Sequence, residues 1–203
     1  MNIIFATGNP HKVIEAGKAL GDRFTLIMPK DLGLDEEIPE TGNTLEANAI
    51  QKCRFLWDKF GKTCFADDTG LEVDALGGAP GVYTARYAGP GKGNEANMNK
   101  LLEELAKTEK EAVSGGKAAP ARTARFRTVV ALMLDGNLHL FEGVLEGSIA
   151  SGKSGTLGFG YDPVFIPDNY SETLAEISLD EKNNISHRGQ AMRKLASFLQ
   201  NIS

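Results

Sequence analysis

The chain has 203 residues, of which 41% are hydrophobic, so it can form one domain or two small lobes that share a sheet. Its net charge of −5 argues against a protein that binds nucleic acid regardless of sequence, or a membrane surface, because both need cationic faces. No apolar run is long enough to span a bilayer. Two cysteines, Cys53 and Cys64, and the lack of an apolar leader after Met1 predict free thiols in a reducing cytoplasm.

The N-terminal part of the chain predicts short strands that alternate with helices. A buried strand over residues 2–6 leads through a glycine-containing turn into a helix that runs to about residue 20, with Asn9 as its N-cap. The predictions that follow are a strand over residues 24–28, an acidic loop over 29–43 and an amphipathic helix over 44–60.

The first turn, Thr7-Gly8-Asn9, has the properties of an anion site. A turn that opens a helix offers free N–H groups and the positive end of the helix dipole, which is where phosphate oxygens bind. Lys12 in the first helical turn would oppose the dipole unless an anion binds there. Taken alone, such a turn is more often an ordinary helix cap.

Two adjacent carboxylates interrupt the next apolar run. A strand over residues 62–66 is predicted to end in the turn Asp67-Asp68-Thr69-Gly70, and residues 71–75 continue as a strand or extended arm. Adjacent like charges repel and lose hydration when buried, so Asp67 and Asp68 need a nearby cation or proton. The alternative is a solvated turn, because Asp and Gly favour turns.

The second half of the chain contains a strong hairpin signal. Asp135-Gly136-Asn137 predicts a tight turn between strands over residues 125–134 and 138–150. Glycines are dense around Phe159, which suggests that a flat group approaches the backbone there, although an ordinary glycine-rich turn explains them equally well. The remaining predictions are a helix over 94–105, a mobile loop over 111–121, a strand over 164–166, a short helix over 178–184 and a C-terminal helix that follows residues 185–190.

Together these features supply what a nucleoside triphosphate needs. Lys12 and the turn before it would bind phosphates, and Glu40 and Asp68 could hold Mg²⁺, which prefers a few carboxylates plus water and phosphate oxygens. No Ser/His/Asp set or Cys/His pair suggests a nucleophile, so water is the expected attacker. A carboxylate such as Asp68 could orient and deprotonate that water.

Five separated motifs carry a resemblance that covers essentially the whole chain. They are Thr7-Gly8-Asn9 with Lys12, Glu40-Thr41-Gly42 before Asn48-Ala49, Asp67-Asp68-Thr69-Gly70-Leu71 with Gly77-Gly78-Ala79-Pro80-Gly81, Phe159-Gly160-Tyr161-Asp162-Pro163, and Ile185-Ser186-His187-Arg188-Gly189. In this order they resemble the family of inosine/xanthosine triphosphate pyrophosphatases. Five motifs in order are far more specific than any one of them.

The resemblance implies an α/β fold with an elongated mixed β-sheet flanked by helices. It implies a single domain over residues 1–203 with two lobes and a central nucleotide-binding cleft, and a homodimer. The implied activity is hydrolysis of ITP, dITP, XTP or dXTP to the monophosphate and pyrophosphate with Mg²⁺ as cofactor. This activity removes deaminated purines from the nucleotide pool.

The resemblance also implies roles for individual residues. Asp68 would be the catalytic carboxylate and would bind the metal together with Glu40, and Lys12 would act in catalysis. Phe159 would stack on the base, and donors from His187 or Arg188 would pair with its C6 carbonyl. The predicted substrate contacts are Thr7, Gly8, Asn9, Lys12, Lys52, Thr69, Phe159, Gly160, Tyr161, Asp162, Lys182, His187 and Arg188.

Two departures from the family pattern and two rival functions remain. Family members often have a glutamate where this chain has Ala47, so no acidic role is assigned there, and the segment over residues 111–121 looks longer than usual. One rival is a pyrophosphatase of the same broad fold that acts on pyrimidine or modified nucleotides. The other is a nucleotide sensor that binds without turnover.

Overall fold

A computed structural model describes residues 1–201, except for the side chain of His11, which falls within the predicted phosphate-binding turn. The strands are β1 (Asn2–Phe5), β2 (Thr25–Ile27), β3 (Cys64–Val73), β4 (Pro80–Gly81), β5 (Thr123–Leu134), β6 (Asn137–Ile149) and β7 (Phe165–Pro167). The helices are α1 (Pro10–Leu20), α2 (Leu45–Phe60), α3 (Asn94–Ser114), α4 (Leu179–Ile185) and α5 (His187–Asn201). Among the helices of the described chain, none is long and apolar enough to cross a membrane.

The seven strands of the described residues form one mixed sheet in the order β2-β1-β3-β5-β6-β7, with β4 paired to β3. β1 runs parallel to both β2 and β3, whereas β4 is antiparallel to β3 and β7 is antiparallel to β6. The predicted α/β class with a mixed sheet flanked by helices is therefore confirmed.

The described chain divides into two compact units. The first unit comprises residues 1–69 and 128–143 together with the described residues from 186 onward, and the second comprises residues 70–127 and 144–185. Strands β3, β5 and β6 each contribute residues to both units.

Each unit has its own apolar core. In the first unit, α1 and α5 pack on β1, β3 and β5, and Phe5 stacks on Phe65 with ring centroids 4.3 Å apart. In the second unit, Leu101 and Leu105 of α3 are fully buried with Phe165 of β7. The apolar spacing of these helices is what buries one face of each.

The predicted hairpin between β5 and β6 is confirmed. Asp135 and Gly136 have φ angles of 50° and 79°, which suit a two-residue connection between antiparallel strands. Cys53 and Cys64 are buried free thiols, as predicted.

The predicted turn at Asp67-Asp68-Thr69-Gly70 is wrong, because β3 continues through it to Val73. Turn propensity of Asp and Gly is a weak preference that strand pairing can override. Beyond the carboxylates, Leu71 pairs with Gly81 of β4, which holds the strand extended. Both carboxylates also have cationic partners, Lys12 for Asp67 and Lys52 for Asp68, so the strand can accommodate the two charges.

The predicted mobile loop over residues 111–121 is wrong in its first part, because α3 runs to Ser114 and not only to residue 105. Residues 106–113 are rich in alanine, lysine and glutamate, which are good helix formers. Lys107 and Glu111 lie 3.9 Å apart at a spacing of four residues, which adds a small favourable interaction.

Candidate active site

A buried carboxylate organises one group of charged residues in the first unit. The side chain of Asp67 is fully buried, and Lys12 Nζ lies 2.9 Å from both of its oxygens. Arg188 Nε donates to Asp67 Oδ2 at 3.2 Å. Burial by itself raises the pKa of Asp67, but Lys12, Arg188 and Lys52 outweigh it and hold the pKa well below its ordinary value. Asp67 is therefore an anion at neutral pH and fixes two cations.

The guanidinium of Arg188 is held from several sides. Its Nη1 donates to Glu15 Oε2 at 2.6 Å, and its Nη2 lies 3.4 Å from Thr69 Oγ1. Thr69 also shares a hydrogen bond of 2.7 Å with Thr128 on the neighbouring strand. Arg188 is the second residue of α5, and Glu15 lies one turn after Lys12 in α1. The packing of α1 beside α5 thus positions both cations of this group.

A second group surrounds Asp68, and α2 supplies its partners. Lys52 Nζ lies 3.2 Å from Asp68 Oδ1 and also contacts Glu40 Oε1, so one ammonium joins two carboxylates. Asn48 Nδ2 donates to Asp68 Oδ2 at 3.1 Å. Asn48 and Lys52 are four residues apart in α2, so they lie on one face of the helix.

The two adjacent carboxylates have opposite electrostatic environments. Burial raises the pKa of Asp68, and Lys52 and Asn48 only partly offset it, so the pKa remains above the ordinary value. Burial lowers the pKa of Lys52, but Asp68, Asp67 and Glu40 outweigh that effect and raise it. Environments that push the pKa values of neighbouring carboxyls apart are typical of sites where one is structural and the other handles a proton.

A cavity of about 330 Å³ opens beside these groups in the first unit. Its lining includes Thr7 and Gly8 of the first turn and the charged residues Lys12, Glu40 and Lys52. The turn is ordered by a hydrogen bond of 3.1 Å from the N–H of Asn9 to Thr7 Oγ1, just before α1 begins. A cavity at the start of a helix, with lysines in its wall, can bind phosphate groups.

The donor set around Asp68 suits a cation that is bound partly by its substrate. The described residues contain no group of three or more His, Cys, Asp or Glu side chains able to hold a metal ion. They do bring Glu40 and Asp68 to a single ammonium, so the two carboxylates lie close together. Mg²⁺ is usually held by one or two carboxylates together with water and phosphate oxygens, and this pair fits that description.

A third group lies in the second unit and involves the predicted base-binding loop. Asp162 Oδ2 accepts a hydrogen bond of 2.7 Å from the N–H of Phe159 and another of 2.5 Å from Lys182 Nζ. The same ammonium lies 4.9 Å from the centroid of the Phe159 ring. Gly158 has a φ of +76° and leaves no room for a Cβ, because that atom would overlap Asp162. The loop therefore presents Phe159, 36% exposed, from a fixed backbone.

The remaining predicted substrate residues are Tyr161, His187 and Gly160. Tyr161 is buried in the core of the second unit, and its hydroxyl donates to Thr84 O at 2.9 Å. His187 is buried at the start of α5 in the first unit, while Gly160 has a φ of +67° in the loop of the second unit. The roles of all these residues toward substrate and metal stay predictions.

Sequence reasoning missed three residues that hold these groups together: Asp67, Glu15 and Asn48. Asp67 is half of the acidic pair for which the sequence predicts a nearby cation or proton, but the resemblance implies a role only for Asp68. A strand would have indicated that Asp67 and Asp68 face opposite sides of the sheet. For Glu15, the only local signal is its position one turn after Lys12.

Known proteins with similar sequences and structures cover nearly the entire chain. A dITP/XTP pyrophosphatase from Christiangramia forsetii is 48% identical over 199 residues, which are 98% of this chain and 99% of that protein. A dITP/XTP pyrophosphatase from Bacillus subtilis is 45% identical over 97% of this chain and 96% of that protein. The solved structure of a HAM1 protein from Coxiella burnetii has a TM-score of 0.90 at 36% identity and covers 99% of each chain. The profile of the Ham1 family matches residues 3–198, and the chain belongs to the Ham1 family.

Proposed function

We propose that this protein hydrolyses deaminated purine nucleoside triphosphates, namely ITP, dITP, XTP and dXTP, to the monophosphate and pyrophosphate. The relatives that are 45–48% identical over nearly full length carry the name dITP/XTP pyrophosphatase. The single observation that carries the proposal is that Lys12 and Lys52, which line the same cavity, are bound to the adjacent carboxylates Asp67 and Asp68 respectively.

The phosphates bind in the cavity at the start of α1. Backbone N–H groups of the turn and the dipole of α1 favour negative charge there. Asp67 holds Lys12 by both carboxylate oxygens, so its ammonium is in place before substrate arrives. A cation that needs no reorganisation stabilises charge that develops on phosphoryl oxygens during bond cleavage.

Asp68 acts as the general base. Its raised pKa makes its carboxylate a better proton acceptor than an ordinary aspartate. Water attacks the α-phosphorus, and Asp68 accepts a proton from that water. The bond between the α-phosphorus and the bridging oxygen breaks, and pyrophosphate leaves with its electrons. Lys52 keeps Asp68 and Glu40 oriented through the contacts it makes with both.

Glu40 and Asp68 are the residues that would hold Mg²⁺, the proposed metal. When bound, Mg²⁺ supplies positive charge to the phosphate oxygens and lowers the pKa of bound water. The two carboxylates would supply what Mg²⁺ usually takes from a protein, with water and phosphate oxygens as its other ligands.

Base selection rests on stacking by Phe159 and on donors from His187 or Arg188. Hypoxanthine and xanthine carry a carbonyl at C6, where adenine carries an amine. A protein donor that faces C6 is therefore paired by the carbonyl of hypoxanthine or xanthine, whereas with adenine it faces another donor. A buried donor left unpaired can produce discrimination of about 10⁴ or more. The proposed assembly is a homodimer in the cytoplasm, which size-exclusion chromatography with light scattering would check.

The test is pyrophosphate release from a panel of common and deaminated nucleotides, with and without added inorganic pyrophosphatase. We expect ITP, dITP and XTP to be cleaved fastest, with phosphate detected only when the added enzyme is present. Faster cleavage of UTP or dTTP would favour the pyrimidine rival. Nucleotide binding without release in Mg²⁺ would favour the sensor.

A further inference from the structure

We propose that Asn48 is a positioning residue, whose amide holds the carboxylate of Asp68 in its working orientation and joins it to the segment that carries Glu40. This inference rests on the proposed function. Asn48 is 2% exposed and lies in the first turn of α2, so its amide has little access to solvent and depends on protein partners.

The amide of Asn48 makes two different hydrogen bonds. Its Nδ2 donates to Asp68 Oδ2 at 3.1 Å, and its Oδ1 accepts from the N–H of Gly42 at 2.7 Å. The carboxylate can only accept and the backbone N–H can only donate, so the orientation of the amide is unambiguous. Asn48 thus links the strand that carries Asp68 to the segment next to Glu40.

Asn48 and Lys52 together fix the orientation of the Asp68 carboxylate. Asn48 binds Oδ2, and Lys52 Nζ lies 3.2 Å from Oδ1, so α2 contacts each oxygen once. These two contacts use about half of the acceptor positions of a carboxylate. A carboxylate held at both oxygens cannot rotate, which keeps its remaining lone pairs aimed at one place.

The segment before α2 packs closely on the helix at Gly42. A Cβ on Gly42 would lie 2.7 Å from Ala47 Cβ and 2.8 Å from Asn48 Oδ1. The same segment has a second tether, because the N–H of Thr41 donates to Gln51 Oε1 at 2.8 Å. Gln51 therefore offers a matched control that holds the segment without contacting Asp68.

Two Asn48 variants test whether Asn48 orients the carboxylate of Asp68 or only holds the segment that contains Gly42. Asn48→Ala removes both hydrogen bonds, whereas Asn48→Asp keeps an acceptor for the N–H of Gly42 and replaces the donor to Asp68 with a carboxylate. Gln51→Ala removes only the second tether. For each protein we would measure kcat and KM for ITP with Mg²⁺, thermal unfolding, and calorimetric affinity for the α,β-imido analogue of ITP, which resists cleavage.

We expect kcat to fall by about 10- to 100-fold in both Asn48 variants, because a misplaced catalytic group loses rate. Affinity for the analogue should change by no more than about twofold, and Gln51→Ala should stay within about twofold of the parent in kcat. Asn48→Ser, which removes both bonds and keeps a small polar group, serves as a second variant if Asn48→Ala does not fold.

Three results would overturn the assignment. Parent-like kcat in Asn48→Asp would mean that the tether to Gly42 is all that matters. An equal loss in Gln51→Ala would also point to tethering, and a parallel loss of analogue affinity would make Asn48 a binding residue. By contrast, a parent protein that cleaves no nucleotide would refute the proposed function itself, and with it the role of Asn48.

Discussion

Asp67 and Asp68 are neighbours in the chain but face opposite sides of β3. Asp67 contacts Lys12 of α1 and Arg188 of α5, whereas Asp68 contacts Asn48 and Lys52 of α2. Successive side chains of a strand point to opposite faces, so the two like charges do not have to share one cation. This arrangement allows two adjacent aspartates to have different roles.

Asp68→Asn should remove turnover and leave nucleotide binding largely intact. The amide keeps the shape of the side chain and can still accept from Asn48, but it cannot take a proton from water. Loss of a general base typically lowers the rate by about 10²–10⁴-fold. Single-turnover hydrolysis of ITP and calorimetric binding of its α,β-imido analogue would measure the two effects.

Asp58→Asn is the matched control, because Asp58 is exposed on α2. Its rate should stay near that of the parent. Activity of Asp68→Asn equal to that of Asp58→Asn would refute the role assigned to Asp68.

Asp67→Asn should destabilise the fold, because it leaves Lys12 and Arg188 without their buried anion. Breaking a buried ion pair by removing one partner costs about 3–5 kcal/mol. Asp74→Asn is the control, since Asp74 pairs with Arg125 at 3.1 Å on the surface and its loss should cost less than about 1 kcal/mol. Urea unfolding at pH 7 would compare the two.

The same variant should show a defined pH dependence. The pKa of Asp67 is lower in the folded state than its ordinary value, so its stabilising effect is complete above about pH 4 and is lost as the pH falls below that value. The difference in unfolding free energy between parent and Asp67→Asn should therefore shrink as the pH falls below about 4. A difference that grows over this acidic range would contradict this assignment.

Phe159→Ala should weaken nucleotide binding more than it slows chemistry. Stacking of a base on an aromatic ring contributes about 1–3 kcal/mol, which corresponds to a rise in KM of roughly 5- to 150-fold. Leu157→Ala, which removes another exposed side chain from the same loop, should change KM by about twofold at most. An unchanged KM for ITP in Phe159→Ala would count against stacking.

Gly158→Ala should disturb the presentation of Phe159. The added Cβ would overlap the Asp162 carboxylate and lie 3.1 Å from Lys182 Nζ, and the φ of +76° disfavours any residue with a side chain. We expect a loss of stability of about 1–3 kcal/mol together with a higher KM for ITP. Gly152→Ala is the control, because its Cβ would have no heavy atom within 4 Å, and thermal unfolding of both variants would show whether the effect is specific.

Sequence patterns were sufficient for most of the helices and strands and for the family. Apolar spacing predicted the helices over residues 44–60 and at the C-terminus, and Asp135-Gly136 predicted the hairpin, because these signals depend on neighbours within a few positions. The five motifs predicted the family for the same reason, since each is a short run of residues.

Only the tertiary structure decided how the charges are paired. Whether Asp67 sits in a turn or a strand depends on the pairing of β3 with its neighbours in the sheet, and its partner Arg188 is 121 residues away. Glu15 has no distinctive local pattern, and the motif that contains Asn48 does not identify its partner. Both contacts arise from the packing of α1 against α5 and of α2 beside β3. The sequence by itself determined which groups are present, while long-range packing decided which of the two carboxyls has a lowered pKa and which a raised one, because burial and partner distance set each pKa.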